Sequence, residues 1–219
     1  MNKKISVWFT VGFLVLLFTL IAVIVAGAYI KFKDHQQRND ILNHVPSVKV
    51  DDDKPTVVVF GDYKCPYCKM YEQSVYPMIE KDYIKKEKVN YYFVNAQLLG
   101  KDSQHASVIG HAIFKYKPSE YWAFHKNMFD RQPNHEGNWI TNKVIDEEIN
   151  KLSLPNETKN KIINEYKDRS SESWKLARND EKLLDLYKVE QVPTVYINNK
   201  KIDDPYSKTE IKKQINKEL

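Results

Sequence analysis

The stretch FGDYKCPYCKMYEQS, Phe60–Ser74, holds both cysteines of a 219-residue chain, separated only by Pro66 and Tyr67. Such a pair can clamp a metal, crosslink the chain or exchange electrons, and its surroundings discriminate among these. Immediately upstream, Thr56–Phe60 (TVVVF) is a continuous β-branched and apolar run ending at a glycine, the pattern of a strand buried on both faces. Downstream, Cys68, Tyr71, Val75, Met78 and Ile79 recur at threes and fours, which predicts a helix from Cys65 to about Lys86 with a kink at Pro77.

Pro66 suits the first helical position, where a missing N–H costs nothing, so Cys65 falls at the N-cap. The free N–H groups and the positive end of the helix dipole then face its sulfur and favour thiolate over thiol. Cys65 is expected to be the exposed nucleophile. Cys68, on the same helical face and at a separation a disulfide can span, is expected to be the resolving and more buried thiol. A zinc site needs four ligands, and the spacings of His105 with His111 and of His125 with His135 do not supply them. A purely structural bridge enclosing two residues constrains the unfolded chain little.

Outward from the cysteines, Lys88–Gln97 (KVNYYFVNAQ) reads as a second buried strand, which makes a parallel βαβ unit. Residues 100–180 turn helical, with Pro118, the Pro133–Gly137 stretch and Pro155 as punctuation. The sequence DEKLLDLYKVEQ predicts a further helix, TVYINNKKID a hairpin about Asn198 and Asn199, and SKTEIKKQINKEL an amphipathic closing helix. Val192–Pro193 stands just before the hairpin, where the residue ahead of proline is held extended. A cis bond there would turn the Val192 backbone toward Cys65.

Ile5–Ile30 is an unbroken run of 26 uncharged residues, mostly Val, Leu, Ile, Phe and Ala, enough helix to cross a hydrocarbon core of about 30 Å. Lys3 and Lys4 before it and Ala26-Gly27-Ala28 near its end also fit a signal peptide, whose apolar region is usually shorter, about 7–15 residues. Residues 1–30 are therefore read as a transmembrane anchor. Residues 31–53, polar and without steady period, are read as a tether. Lysines flank both ends of the apolar run, so charge alone does not orient it. The remainder carries 32 basic and 29 acidic side chains, too balanced to suggest nucleic acid.

Together, Cys65-Pro66-Tyr67-Cys68 after a buried strand, the helical insertion and Val192-Pro193-Thr194 before the last hairpin resemble the DsbA family of thioredoxin-fold thiol-disulfide oxidoreductases. FGDYKCPYCK, FVN and VPTVYIN are most similar to its membrane-bound or lipid-anchored members from Gram-positive bacteria, the BdbD type. The resemblance implies an α/β thioredoxin fold, residues 54–99 and 181–219, with an all-helical insertion at 100–180. It further implies a redox-active Cys65–Cys68 disulfide, a cis Pro193 and a Val192 backbone that receives an extended substrate, with Pro66 and Tyr67 tuning the pair. The implied activity is oxidation of thiols in exported proteins through a mixed disulfide, without cofactor or metal. The resemblance suggests a quinone-linked membrane oxidase to restore the disulfide, although small oxidants outside the cell could also serve, and the enzyme would be monomeric, with its catalytic part outside the cell and Met1 inside. An oxidising dithiol is useful only where cellular reductants do not reach.

Two departures stand out. Pro66-Tyr67 lacks the histidine that helps stabilise the thiolate in other members, and Val59 occupies the place of an acid that moves protons beneath the site. Asp62 and Glu72 are candidate substitutes but are expected to be solvated. Lys64 is read either as a surface lysine or as a further thiolate stabiliser. His111, His125 and most of Tyr121, Trp122, Phe124, Phe129, Trp139 and Trp174 are expected to pack the core, although the aromatics also suit a substrate groove. Any calcium site among the acidic loops is left open. A glutaredoxin-like reductase is the rival, weakened by Asp203-Asp204-Pro205 where that family has a glycine pair. An extracytoplasmic isomerase or reductase is closer in chemistry, but such proteins usually carry a dimerisation domain, for which residues 31–53 leave no room.

Overall fold

A computed structural model of the chain describes residues 3–134 and 137–219; Met1 and His135, both invoked above, lie outside them. The chain divides into two units, one ending at Asp40 and one running from Ile41 to Leu219. The first is built on helix α1 (Lys3–Leu42), whose apolar side chains between Val11 and Phe32 are exposed. By length and composition α1 can span a membrane.

The expected tether differs from what is found. Helix α1 continues through Leu42, and Ser47–Val48 forms strand β1. A helix already nucleated by an apolar run lengthens at little cost, and residues 31–42 contain neither glycine nor proline to stop it. The missing period reflects an unpacked surface, not a missing helix.

In the second unit β2 (Thr56–Gly61) leads into α2 (Pro66–Ser74) and α3 (Tyr76–Asp82). The single kinked helix expected here is two helices broken at Val75, because Pro77 has no N–H for a continuing ladder. A 3-10 turn, Ile84–Lys86, precedes β3 (Asn90–Asn95). Five helices follow: α4 (Lys101–Tyr116), α5 (Pro118–Arg131), α6 (Asn142–Lys151), α7 (Asn156–Lys167) and α8 (Glu172–Tyr187). Strands β4 (Thr194–Ile197) and β5 (Lys200–Lys201) and helix α9 (Lys208–Glu218) complete the unit. Helix α8 runs straight across residue 180, where the helical insertion was expected to end. Its first half places Trp174 and Ala177 against Val108 of α4, while Leu183, Leu184 and Tyr187 pack on the sheet. One uninterrupted helix thus serves both parts.

The sheet order is β1-β3-β2-β4-β5, with β2 and β3 parallel and β4 antiparallel to β2. Alternation along the strands divides two cores. Val57, Val59, Tyr91, Phe93 and Val195 enter one cluster, with residues of α2–α7 and α9; Val58, Phe60, Tyr92, Val94 and Tyr196 enter the other, with α8, Leu42 and Val45. Burial on both faces is why TVVVF shows no alternation. At the hairpin tip Asn198 and Asn199 have φ of 46° and 64°, the pair of left-handed residues a two-residue turn requires. Asn198 also ties the turn to β2, its Oδ1 accepting the Thr56 N–H at 2.8 Å.

Phe60 is fully enclosed between the rings of Tyr187 and Tyr196, at centroid separations of 5.1 and 6.0 Å. Phe60→Ala is expected to lower unfolding free energy by about 3–5 kcal/mol in chemical denaturation, leaving the opposite face of the sheet intact.

Candidate active site

The site forms where β2 ends. Gly61 is the last residue of the strand, and a Cβ there would come within 2.7 Å of Phe93 Cε2 and 3.7 Å of Cys68 Sγ. Glycine is required by the close approach of the Phe93 ring, whereas the Cys68 thiol would be at ordinary contact distance. Asp62 then turns the chain: its carbonyl accepts the Cys65 N–H at 2.9 Å and its Oδ1 accepts the Lys64 N–H at 2.9 Å. This turn delivers Cys65 to the N-cap of α2 with φ −79° and ψ 117°, and Pro66 to the start of the helix, as the sequence predicts.

Both cysteines are free thiols. The Cys65 thiol is lowered from an ordinary 9.0 to about 7. The hydrogen bond from Cys68 is the main cause, burial opposes it, and the N–H groups of Cys68 and Tyr67 add to the lowering. The Cys68 thiol is pushed well above its ordinary value, first by burial and then by the neighbouring Cys65 sulfur. The Asp62 N–H reaches Cys68 Sγ at 3.4 Å. The Val192–Pro193 bond is cis, and the Val192 carbonyl oxygen lies 3.7 Å from Cys65 Sγ. Tyr67 is 61% exposed, and its carbonyl accepts the Tyr206 hydroxyl at 2.9 Å. The fold therefore gathers Cys65, Pro66, Tyr67, Cys68, Val192 and Pro193 into one place.

Several expectations need correction. Cys65 is not an exposed residue: it is 4% exposed, beneath the Val192 carbonyl, against 1% for Cys68. Asp62 is completely buried, its carboxylate held by Lys64 N–H, by the Ser103 hydroxyl at 2.6 Å and by Leu99 N–H at 3.0 Å. Glu72 is also enclosed, its carboxylate 3.2 Å from His125 Nε2. Lys64 belongs neither to the surface nor to the thiolate: its ammonium meets Asp102 at 2.8 Å, Leu99 O at 2.9 Å and Asn138 Oδ1 at 3.3 Å. Sequence spacing hid these roles because the partners of Asp62 and Lys64 come from the loop after β3 and from α4. An aspartate at the first position of the turn that ends at Cys65 was the one visible signal.

His111 is buried with its Nε2 2.9 Å from Asp180, and His125 is buried with its Nδ1 3.1 Å from the Tyr63 hydroxyl. Tyr121, Phe124, Phe129, Trp139 and Trp174 are buried, as expected of core residues. Trp122 and Phe129 also line a cavity of about 320 Å³ with Glu72, Tyr76 and His125. Val59 is buried in the same cluster as Cys68. No metal-holding group of His, Cys, Asp or Glu occurs among the described residues.

These thiols make a direct chemical prediction. Alkylation of the reduced protein by iodoacetamide is expected to modify Cys65 with a rate midpoint near pH 7, while Cys68 stays unreactive until well above pH 9. Because the folded Cys65 value lies below the ordinary one, the reduced fold gains stability as pH rises from about 7 toward 9 and loses it as pH falls through 7.

The chain is similar to known proteins over most of its length. Residues 50–217 match the family model described as Thioredoxin. Disulfide bond formation protein D of Bacillus subtilis is 33% identical over 190 residues, covering 84% of each chain. The probable disulfide bond formation protein D of Bacillus anthracis is 31% identical over 177 residues, 79% of this chain and 77% of that one. The crystal structure of oxidised BdbD from Bacillus subtilis, 32% identical, superposes with a TM-score of 0.72 over 81% of this chain and 94% of that one. The thiol-disulfide exchange protein alpha-DsbA2 of Wolbachia pipientis, 18% identical, shares the fold with a TM-score of 0.68 over 88% of this chain and 97% of that one. With its cysteine pair at the head of α2 and these relatives over most of its length, the chain belongs to the thioredoxin-fold thiol-disulfide oxidoreductases, among the DsbA-like enzymes of the BdbD type.

Proposed function

We propose that this protein is a membrane-anchored oxidase that introduces disulfides into exported proteins through a Cys65–Cys68 disulfide. The observation that carries the reading is the asymmetry of the pair: Cys65 sits at a helix N-cap with its thiol lowered to about 7, and Cys68 is raised and enclosed. Stabilising one thiolate stabilises the reduced form, which is what makes the disulfide a good electron acceptor. In the proposed cycle a substrate thiolate attacks Cys65 Sγ and the Cys65–Cys68 bond breaks, leaving the electron pair on Cys68, which takes up a proton. A second substrate thiolate then attacks the substrate sulfur of the mixed disulfide and expels Cys65 as thiolate. Two electrons pass from substrate to enzyme, and no cofactor enters the cycle.

Pro66 and Tyr67 set the helix N-terminus, and the Val192 backbone, beside Cys65 Sγ, is the proposed contact for an extended substrate. Exposed Tyr67 and Met70, with Leu98 and Leu99 on the loop tied to Asp62 and Lys64, offer apolar contacts to an unfolded chain. The apolar helix α1 supports a single-pass anchor with the catalytic unit extracytoplasmic and the preceding tail inside, since the chemistry serves only an oxidising compartment. Re-oxidation is assigned to a quinone-linked membrane thiol oxidase, and the working form to a monomer.

The test is the redox equilibrium of the full-length protein in detergent against glutathione buffers, with thiolate absorbance titrated in the same samples. A potential above about −180 mV is expected of an oxidase, whereas one in the range of about −200 to −230 mV overturns the reading in favour of a glutaredoxin-like reductase. Cys65→Ser is expected to abolish oxidation of a reduced model substrate; retained oxidation would remove Cys65 from the mechanism.

A further inference from the structure

The most heavily buried charge near the sulfurs is one the proposed cycle does not use. Asp62 is completely enclosed. Its N–H lies on Cys68 Sγ at 3.4 Å and its carbonyl holds the Cys65 N–H at 2.9 Å, so it joins both cysteines through its own backbone. Its carboxylate receives the Lys64 and Leu99 N–H groups and the Ser103 hydroxyl. Two of these are obligate donors, which matches an ionised carboxylate that only accepts. None of the three brings a cation. The ammonium of the neighbouring Lys64 is directed at Asp102, Leu99 O and Asn138. Hydrogen bonds satisfy this carboxylate without cancelling its charge, and a buried negative charge acts on a neighbouring anion more than it would in water.

We infer that Asp62 is a positioning and tuning residue whose buried negative charge opposes the Cys65 thiolate and so restrains the oxidising power of the pair, an inference that rests on the redox role proposed above. Its backbone shapes the turn that places Cys65 at the N-cap, while its side chain works against the charge that the N-cap favours. At both sulfurs burial is the larger opponent of ionisation and the Asp62 charge adds to it, while at Cys68 the Asp62 N–H favours the thiolate. The equilibrium concerned is dithiol plus oxidised glutathione giving disulfide plus two reduced glutathiones. Two electrons and two protons leave the cysteine pair and reduce one glutathione disulfide bond. A charge that raises the cost of the reduced, partly ionised pair drives this equilibrium toward the protein disulfide, and removing it drives the equilibrium back.

Asp62→Asn removes the charge and keeps an oxygen for Lys64 and Ser103, at the loss of the Leu99 hydrogen bond. Ser103→Ala is its counterpart, losing one bond to the carboxylate but keeping the charge. Each is compared with wild type as full-length protein in detergent, in the same glutathione buffers, with thiolate absorbance followed against pH and melting temperature recorded. For Asp62→Asn the equilibrium constant for forming the protein disulfide should fall about three- to tenfold, equivalent to about 15–30 mV for a two-electron couple. The thiolate titration should move to lower pH, and Ser103→Ala should leave both where wild type has them. A wild-type potential from Asp62→Asn, or an equal shift in Ser103→Ala, overturns the inference and leaves Asp62 a purely structural residue. Asp62→Ser is read in its place if Asp62→Asn does not fold, and failure of both to fold assigns the residue to the fold and likewise overturns the inference. The wild-type potential itself tests the oxidase reading, whereas the inference is read from differences, so one can fail without the other.

Discussion

The antiparallel pairing of β4 on β2 is the constraint on which the site depends. Opposing Phe60 to Thr194 puts the end of β2, with the turn to Cys65, beside the start of β4, with Val192 and Pro193 just before it. Two segments separated by more than a hundred residues thereby meet within 4 Å, at Cys65 Sγ and the Val192 carbonyl. A slip of one residue would exchange the two faces of β4 and carry Val195 out of the core it shares with Val59. Register is thus fixed by burial on both sides of the sheet, and the chemistry inherits it.

Around that frame, the electrostatics of the pair are a balance of unequal effects. The N-cap and the Cys68 thiol favour charge on Cys65, while burial and Asp62 oppose it. Cys68 receives one backbone N–H, shares a hydrogen bond with the Cys65 sulfur and is otherwise buried in the cluster that holds Val59 and Phe93. Lys64, adjacent to Cys65 in sequence, is turned away by Asp102. Being next in sequence to a sulfur therefore says little about which charges the sulfur feels.

Much of this was legible in the sequence because it depends on local rules. A proline after Cys65 announces a helix start, a continuous apolar run announces a strand covered on both faces, and Asn198-Asn199 announces a tight turn. What was not legible depends on contacts between distant segments. Asp62 reads as a surface residue, and Lys64 as either a surface residue or a partner of the thiolate, until the β3–α4 loop and α4 close over them, and Glu72 reads as solvated until α5 brings His125. Helix α1 ran past its expected end because an apolar period measures packing rather than helicity. The break at Val75 was sensed through Pro77, but only as a kink.

The enclosure of Cys68 has a consequence for how the molecule meets other proteins. A sulfur on a residue 1% exposed, within the core cluster, is reached by way of its partner. In the proposed cycle, the client that gives up electrons and the agent that later removes them must both approach the same atom, Cys65 Sγ, beneath the same carbonyl. They cannot be served together. The two compete for a single doorway, so an abundance of one slows the visit of the other, and throughput depends on how evenly the two queues are matched.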